Sequence, residues 1–452
     1  MKTNFLKAIQ LAIASNPLMR TASLIVLILS GFAGASARAD EVTDWTQIML
    51  QAIKTANITS STTAARDAAI VGAAVFDAVN GVKGHYTPVF VTPAAPKGTS
   101  ARAAAVQASY VILVKLFPAQ KTSFDAARTA SLDAILNVNG GDNRHARIQA
   151  SVEKGVAWGQ QVADAIWDWR STDGYSTVLP PFLGGTAPGE WRPTPPSFAP
   201  GANPQLATMT TWVIPSPSQF RPAGPPALDS ALYAQVYNET KTWGSATNSP
   251  RTADQTLLAL FWQSTVTTYY WNRVGLRLVP TRDMTLLEDA RLFAALNIAI
   301  DDATIGCWDA KDHYVSWRPV TAIPLGDSDG NPNTVGDPNW TPLIVTPAHP
   351  EYPSAHSCFS GAGATVLAQF FGANTPFTVD SDQMPGVTRS FSSFDAALQE
   401  VADARVFGGM HFRTATDDGK VLGTAVANYI LQNAFLPGNG HGSPGDDDED
   451  DE

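Results

Sequence analysis

Apolar residues recur every three or four positions through most of this chain, in segments rich in alanine. That period is the one that lets a helix bury a single stripe, so the chain has to fold as packed helices. Between about 43 and 81, Trp45, Ile48, Met49, Ala52 and Ile53 mark one amphipathic helix, and Ala69, Ala73, Val75, Phe76 and Val79 mark a second. Similar patterns over about 101–117, 122–137, 144–170, 229–243, 253–266, 283–308, 356–372, 392–405 and 411–434 predict an all-α fold. No sheet is evident, although short β pairs fit in the loops.

Two stretches break the pattern. Residues 174–226 carry Pro180-Pro181, Pro195-Pro196 and Pro225-Pro226 and predict a long irregular segment, which in a compact protein is functional or packed over a surface. Residues 326–352 form a second loop rich in Asp, Asn, Pro and Gly. The reading divides the chain into an N-terminal helical region (40–282) and a helical bundle (283–436). A single helical domain is equally compatible with the pattern.

With 44% hydrophobic residues in 452, a large core is available. A net charge of −11 argues against a nucleic-acid partner. Two cysteines exclude a disulfide scaffold and a Cys-based zinc cluster. Residues 1–39 read as an export signal: basic Lys2, Lys7 and Arg20, an apolar run from Ala22 to Leu29, then Ala37-Arg38-Ala39. The expectation is an exported protein, periplasmic or secreted, with no stable membrane insertion after cleavage. Residues 437–452 end in seven consecutive acids and predict a solvated tail.

Four of the seven histidines lie between 313 and 411, among three short strings. In Lys311-Asp312-His313-Tyr314-Val315-Ser316-Trp317-Arg318-Pro319, the two cations are seven apart, two turns if helical, and would share a face. Two cations on one face repel unless an anion lies between them; the alternative is a solvated basic face. In His349-Pro350-Glu351-Tyr352-Pro353-Ser354-Ala355-His356, prolines end a loop and small residues open a helix. Ser354 can cap that helix, whose free N–H groups favour an anion, and His356 can act on it as acid or base. In Arg405-Val406-Phe407-Gly408-Gly409-Met410-His411, the glycines break a helix and His411 is expected to begin the next, as ligand, nucleophile or core residue.

Together, Lys311-x6-Arg318-Pro319, Pro353-Ser354-Ala355-His356 and Arg405-x5-His411 resemble the signature of the vanadium-dependent haloperoxidase and type 2 phosphatidic acid phosphatase superfamily. Cys307-Trp308-Asp309-Ala310-Lys311 and His349-Pro350-Glu351-Tyr352-Pro353-Ser354 are similar to its bacterial haloperoxidase branch. The resemblance implies the helical bundle of that superfamily and a pocket for vanadate, for which phosphate competes. It implies that Lys311, Arg318, Ser354, the Ala355 N–H and Arg405 hold the oxyanion. His411 would bind the metal, His356 would take protons from hydrogen peroxide, and Lys311 would polarise the bound peroxide. Trp308 and His349 fall at the halide pocket, where histidine leans toward bromide. The implied partners are hydrogen peroxide, a halide and a small organic acceptor, and a homo-oligomer is left open. The same residues would serve an acid phosphatase with His411 as nucleophile, or a non-catalytic anion-binding protein.

This chain departs from the pattern at three positions. Ala355 replaces glycine, Ala404 replaces serine, and Ala415 stands where relatives place an aspartate. Asp417 or Asp418 is the remaining candidate to orient His411. Cys307 and Cys358 lie near two of the motifs, as a disulfide or as a reduced pair.

Overall fold

The computed structural model describes residues 40–137 and 142–438. The expected leader and the acids at the C-terminal end lie outside the described residues. The helices, in chain order, are α1 (Glu41–Thr55), α2 (Ser61–Lys83), α3 (Ala101–Leu116), α4 (Lys121–Leu136), α5 (Asp142–Arg170), α6 (Ala231–Trp243), α7 (Ala253–Phe261), α8 (Thr267–Leu278), α9 (Leu286–Tyr314), the short α10 (Pro319–Ala322), α11 (Ala355–Phe371), α12 (Phe394–Phe407) and α13 (Arg413–Asn433). Among the described residues, no single helix is long and apolar enough to cross a membrane.

The 29-residue α9 is the axis of the molecule. It is buried almost continuously from Leu287 to Lys311, as a helix enclosed on every side must be. On one side α2 crosses it so closely that a Cβ on Gly72 would meet the Phe293 carbonyl oxygen at 3.1 Å. On the other side lie α11 and α13, whose contact is made by glycines. A side chain on Gly423 would meet the Cys358 carbonyl oxygen at 2.0 Å, and one on Gly419 the Ser354 carbonyl oxygen at 2.8 Å. One apolar core runs from Val42 to Phe435 and crosses position 283 without a break.

Most helix starts obey their local chemistry. Ser60, Ser100, Ser230, Thr252, Thr285 and Ser393 each accept a hydrogen bond from the first turn. Thr252 with Gln255 and Thr285 with Glu288 complete capping boxes.

Two local features differ from the expectation. Helix α8 falls on Thr-Thr-Tyr-Tyr-Trp, a β-branched and aromatic run of poor helix propensity that is helical because it is buried. The helix expected over 253–266 ends at Phe261. A two-stranded antiparallel hairpin, β1 (Phe377–Asp380) with β2 (Thr388–Phe391), fills the loop between α11 and α12, where the sequence allows a short β pair, with the Phe377 and Phe391 rings tilted against each other at 5.5 Å and Thr378 bonded to Ser390.

The Pro-rich segment is irregular, as expected, and it is packed. It forms a bridge between Glu190 and Ser316 and donates the Trp191 N–H to the Val315 carbonyl and the Ala202 N–H to the Ala348 carbonyl. It therefore braces two of the three motif strings from outside.

Candidate anion site

Helix α9 delivers Trp308 and Lys311 and then stops at Tyr314. Val315 takes the left-handed conformation (φ 46°), which a β-branched residue rarely adopts. Arg318 is therefore not two turns along the same helix from Lys311; it sits in extended chain at the start of α10. The two cations converge because the chain reverses there.

Lys311 is buried, and its ammonium donates to the carbonyls of Pro350 (2.7 Å), Glu351 (3.0 Å) and Pro353 (2.5 Å). All three protons are thus given to the loop that precedes α11. Arg318, fully buried, donates Nε–H to the His349 carbonyl (2.9 Å) and one NH1 proton to the Met410 carbonyl (2.9 Å). NH1 also lies 2.9 Å from His411 Nε2, and NH2 lies 3.0 Å from His349 Nδ1.

Ser354 is the backbone N-cap of α11, and its N–H donates to the Ala415 carbonyl (2.9 Å). Its hydroxyl makes no cap bond. It is buried without a partner, a state that costs about 1–3 kcal/mol unless a ligand satisfies it. His356, in the first turn, is partly exposed to a cavity.

Arg405 ends α12, Gly409 turns the chain with φ 74°, and His411 lies in the connection before α13 begins at Arg413. His411 thus precedes the helix it was expected to open. Arg405 is buried, with NH1 on Gln263 Oε1 (2.9 Å), NH2 on Met410 Sδ (3.2 Å) and Nε unpartnered. Among the described residues, no ion pair joins Lys311, Arg318 or Arg405 to a carboxylate.

A cavity of about 530 Å³ opens over this cluster. Arg405, His411, His356, Ala355, His349 and Trp308 line its inner end, and the loop after α1 with Asp382 and Gln383 lines its mouth. The Trp308 and His349 rings lie 5.1 Å apart. Lys311 stands behind this wall.

Burial dominates the electrostatics. It pulls Lys311 down to about 8, Arg318 to about 10 and Arg405 to about 9, with Arg318 repelling both of the others. His349, His356 and His411 are held well below the ordinary imidazole range, first by burial and then by the nearby cations, so all three are neutral at pH 7. Glu351 is pushed up to about 7 by burial, against the pull of Arg318 and the Phe412 N–H. Three cations and neutral imidazoles around unsatisfied donors suit a tetrahedral oxyanion, which supplies the missing negative charge and acceptor oxygens. The donor set fits vanadate or phosphate.

The expected site residues converge at one end of α9, with one correction: Lys311, expected to hold the oxyanion and polarise peroxide, does not line the cavity and gives its three donors to the carbonyls of Pro350, Glu351 and Pro353. Neither Asp417 nor Asp418 orients His411. Asp418 accepts the Tyr352 hydroxyl proton (2.6 Å), and Asp417 pairs with Lys420 (3.1 Å). The group on His411 Nδ1 is Glu351 Oε1 at 3.0 Å, which also accepts the Phe412 N–H at 2.9 Å. Glu351 was legible as the single acid in a proline-framed basic motif. Gln263, the tether of Arg405, carried no signal in its sequence context. Cys307 and Cys358 are both buried free thiols, and Cys307 Sγ points to the Pro353 carbonyl (3.8 Å).

The VCPO second helical-bundle domain matches residues 291–437. Vanadium chloroperoxidase of Curvularia inaequalis is 28% identical over 171 residues, covering 27% of this chain and 27% of that protein. The chain thus spans about a quarter of that relative's length. Among solved structures, a bacterial vanadium-dependent iodoperoxidase superposes with a TM-score of 0.72 at 25% identity, over 88% of this chain and 97% of that one. An apo-type bacterial vanadium-dependent chloroperoxidase superposes with a TM-score of 0.65 at 17% identity, over 83% and 93%.

Proposed function

On the premise that the chain has the vanadium haloperoxidase fold and carries that family's second helical-bundle domain, we propose that it oxidises halide with hydrogen peroxide, using vanadate bound at the end of α9. The observation that carries the reading is Arg405. It is a buried guanidinium without a carboxylate partner, at the floor of a cavity shared with His411 and His356. A buried cation left unpaired is strongly unfavourable, so this one is built to meet an anion.

The roles follow from geometry. Arg405, whose Nε–H has no partner among the described residues, would hold the oxyanion with the Ser354 hydroxyl and the Ala355 N–H, and Arg318 would add positive charge from beside His411. His411, with Nε2 unprotonated next to Arg318 NH1, would be the residue that holds the metal. His356, neutral and open to the cavity, takes a proton from incoming peroxide. Lys311 braces the 350–353 loop and adds positive potential from behind. Bound vanadate supplies a Lewis acid that keeps its oxidation state while peroxide is made electrophilic. Overall, peroxide, halide and one proton give hypohalous acid and water, and the acid reacts with a small organic acceptor. The His349–Trp308 wall supports bromide, with the more easily oxidised iodide also accepted and chloride poorly. The leader-like residues 1–39 support export.

The test is bromination of a halogen acceptor by stripped protein before and after vanadate addition, with p-nitrophenyl phosphate hydrolysis run in parallel. Vanadate-dependent bromination abolished by His411→Ala is the expected result. Hydrolysis that vanadate inhibits, without bromination, would make the protein a phosphatase.

A further inference from the structure

We propose that Glu351 is the positioning residue of the site. It fixes His411 in the tautomer that carries its proton on Nδ1 and keeps Nε2, which meets Arg318 NH1 at 2.9 Å, free of a proton. The proposal rests on the reading of the cavity as an oxyanion site and goes beyond it, since it concerns a group that does not touch the anion.

The argument is one of donors and acceptors. A guanidinium can only donate. Arg318 NH1 lies 2.9 Å from His411 Nε2, so Nε2 is the acceptor and carries no proton. The neutral ring must then hold its proton on Nδ1, which is 3.0 Å from Glu351 Oε1. The same oxygen takes the Phe412 N–H at 2.9 Å, which fixes the carboxylate against the backbone next to His411. From the other side, the Thr240 hydroxyl donates to the His411 carbonyl at 3.1 Å. Ring and main chain are both held, and Glu351 is held as well: its own N–H donates to the Ser316 carbonyl (2.8 Å), and its carbonyl receives Lys311.

The arrangement has a cost that a purely structural acid would not need. Glu351 is 1% exposed, and among the described residues it meets no Lys or Arg in an ion pair, only the His411 ring. A carboxylate so placed makes sense if it makes the far nitrogen of His411 a stronger base, as acids behind metal-bound histidines do. It also explains why the aspartate expected at 415 can be alanine here. Ala415 lies fully buried against the Ser354 N–H, and the orienting acid comes instead from the loop ahead of α11.

The test reads the tautomer first, in protein free of any oxyanion. Nitrogen NMR of histidine-labelled protein, with the His411 signals assigned by their loss in His411→Gln, should show Nδ1 protonated and Nε2 bare. Glu351→Gln, which keeps an acceptor oxygen, should preserve that pattern. Glu351→Ala should shift the ring toward the Nε2–H form common in water. Vanadate affinity, followed by calorimetry, should fall by about 10–100-fold in the alanine variant and less in the glutamine variant. A wild-type His411 protonated on Nε2 would overturn the proposal. So would an alanine variant, folded by circular dichroism, that binds vanadate within about threefold of wild type, since positioning acids are worth tenfold or more. Should the alanine variant not fold, the wild-type and glutamine spectra still decide. Failure of bromination would sink the proposed activity and leave the tautomer result standing.

Discussion

Asp301 and Asp302, midway along α9, and Lys311, near its end, belong to two buried charge clusters with opposite logic. In the first, the opposite charges are paired within the chain, although Arg170 Nε is left without a hydrogen bond. Arg66 Nε lies 2.7 Å from Asp173, and Arg170 NH2 lies 3.2 Å from the same carboxylate. Asp302 accepts the N–H groups of Trp212 (2.7 Å), Val213 (2.9 Å) and Ile214 (3.1 Å), and Asp301 accepts the Trp212 indole (2.8 Å). This cluster welds the irregular segment onto α2, α5 and α9. In the second, Lys311 and Arg318 feel one nearby carboxylate, Glu351, which is bonded to His411 and Phe412 instead, and among the described residues Arg405 pairs with no carboxylate. The first cluster is complete when the chain has folded. The second is complete only with an anion from outside.

Breaking each cluster should separate them most sharply. Asp173→Ala strands two buried guanidinium groups and should cost about 3–5 kcal/mol in urea unfolding. Arg405→Met removes an unpaired cation and keeps apolar bulk, so in anion-free buffer it should be neutral or stabilising by about 1 kcal/mol or more. An Arg405→Met loss as large as that of Asp173→Ala would make Arg405 a structural residue and dissolve the contrast. The next effect is linkage. At 100 times its dissociation constant, vanadate should stabilise wild type against unfolding by about 2.7 kcal/mol and leave Arg405→Met unmoved.

How much of this was legible in the sequence depends on the range of the interaction. The helices show in their period because each buries a stripe, and α9 shows for that reason. Helix α8 does not, because Thr267, Tyr269, Tyr270 and Trp271 are helical only under tertiary burial. Spacing in three strings marks the site residues, but it does not encode how the chain brings them together. Lys311 and Arg318 meet through the reversal at Val315, and His411 lies before its helix. Side-chain partners across the fold were the hardest to read. Gln263 reaches Arg405 from 142 residues away in sequence. No local pattern encodes such a contact. Glu351 reaches His411 across 60 residues but sits inside a motif, and so left a trace.

A smaller effect probes the first cluster by pH. Burial holds Asp301 at about 7 in the fold, against about 4 in the unfolded chain. Between those values the folded state binds the extra proton, so stability should fall as pH rises from 4 to 7. Asp301→Asn keeps an acceptor for the Trp212 indole and removes the proton uptake. The stability difference between pH 5.5 and pH 7, measured by urea titration, should shrink by about 1–2 kcal/mol in the variant. An unchanged slope would mean that Arg170 keeps Asp301 ionised throughout, and the first cluster would then be more strongly ion-paired than its distances indicate.

The finest distinction lies in two N-caps. Thr285 Oγ1 accepts the Glu288 N–H at 3.3 Å, and the Thr285 N–H donates to the Glu288 carboxylate at 2.8 Å. Thr285→Ala should therefore cost about 1 kcal/mol whether or not anion is present. Ser354 holds the same position on α11 and spends its hydroxyl on nothing. Ser354→Ala should leave the melting temperature of anion-free protein unchanged or slightly higher, because a buried unsatisfied group is removed. In the presence of vanadate the order should reverse, with the serine protein gaining about 1 kcal/mol more than the alanine protein from one added hydrogen bond. If Ser354→Ala instead loses stability in anion-free buffer, its hydroxyl serves the helix, as the one at 285 does, and α11 would have lost the feature that sets it apart from the other helix starts.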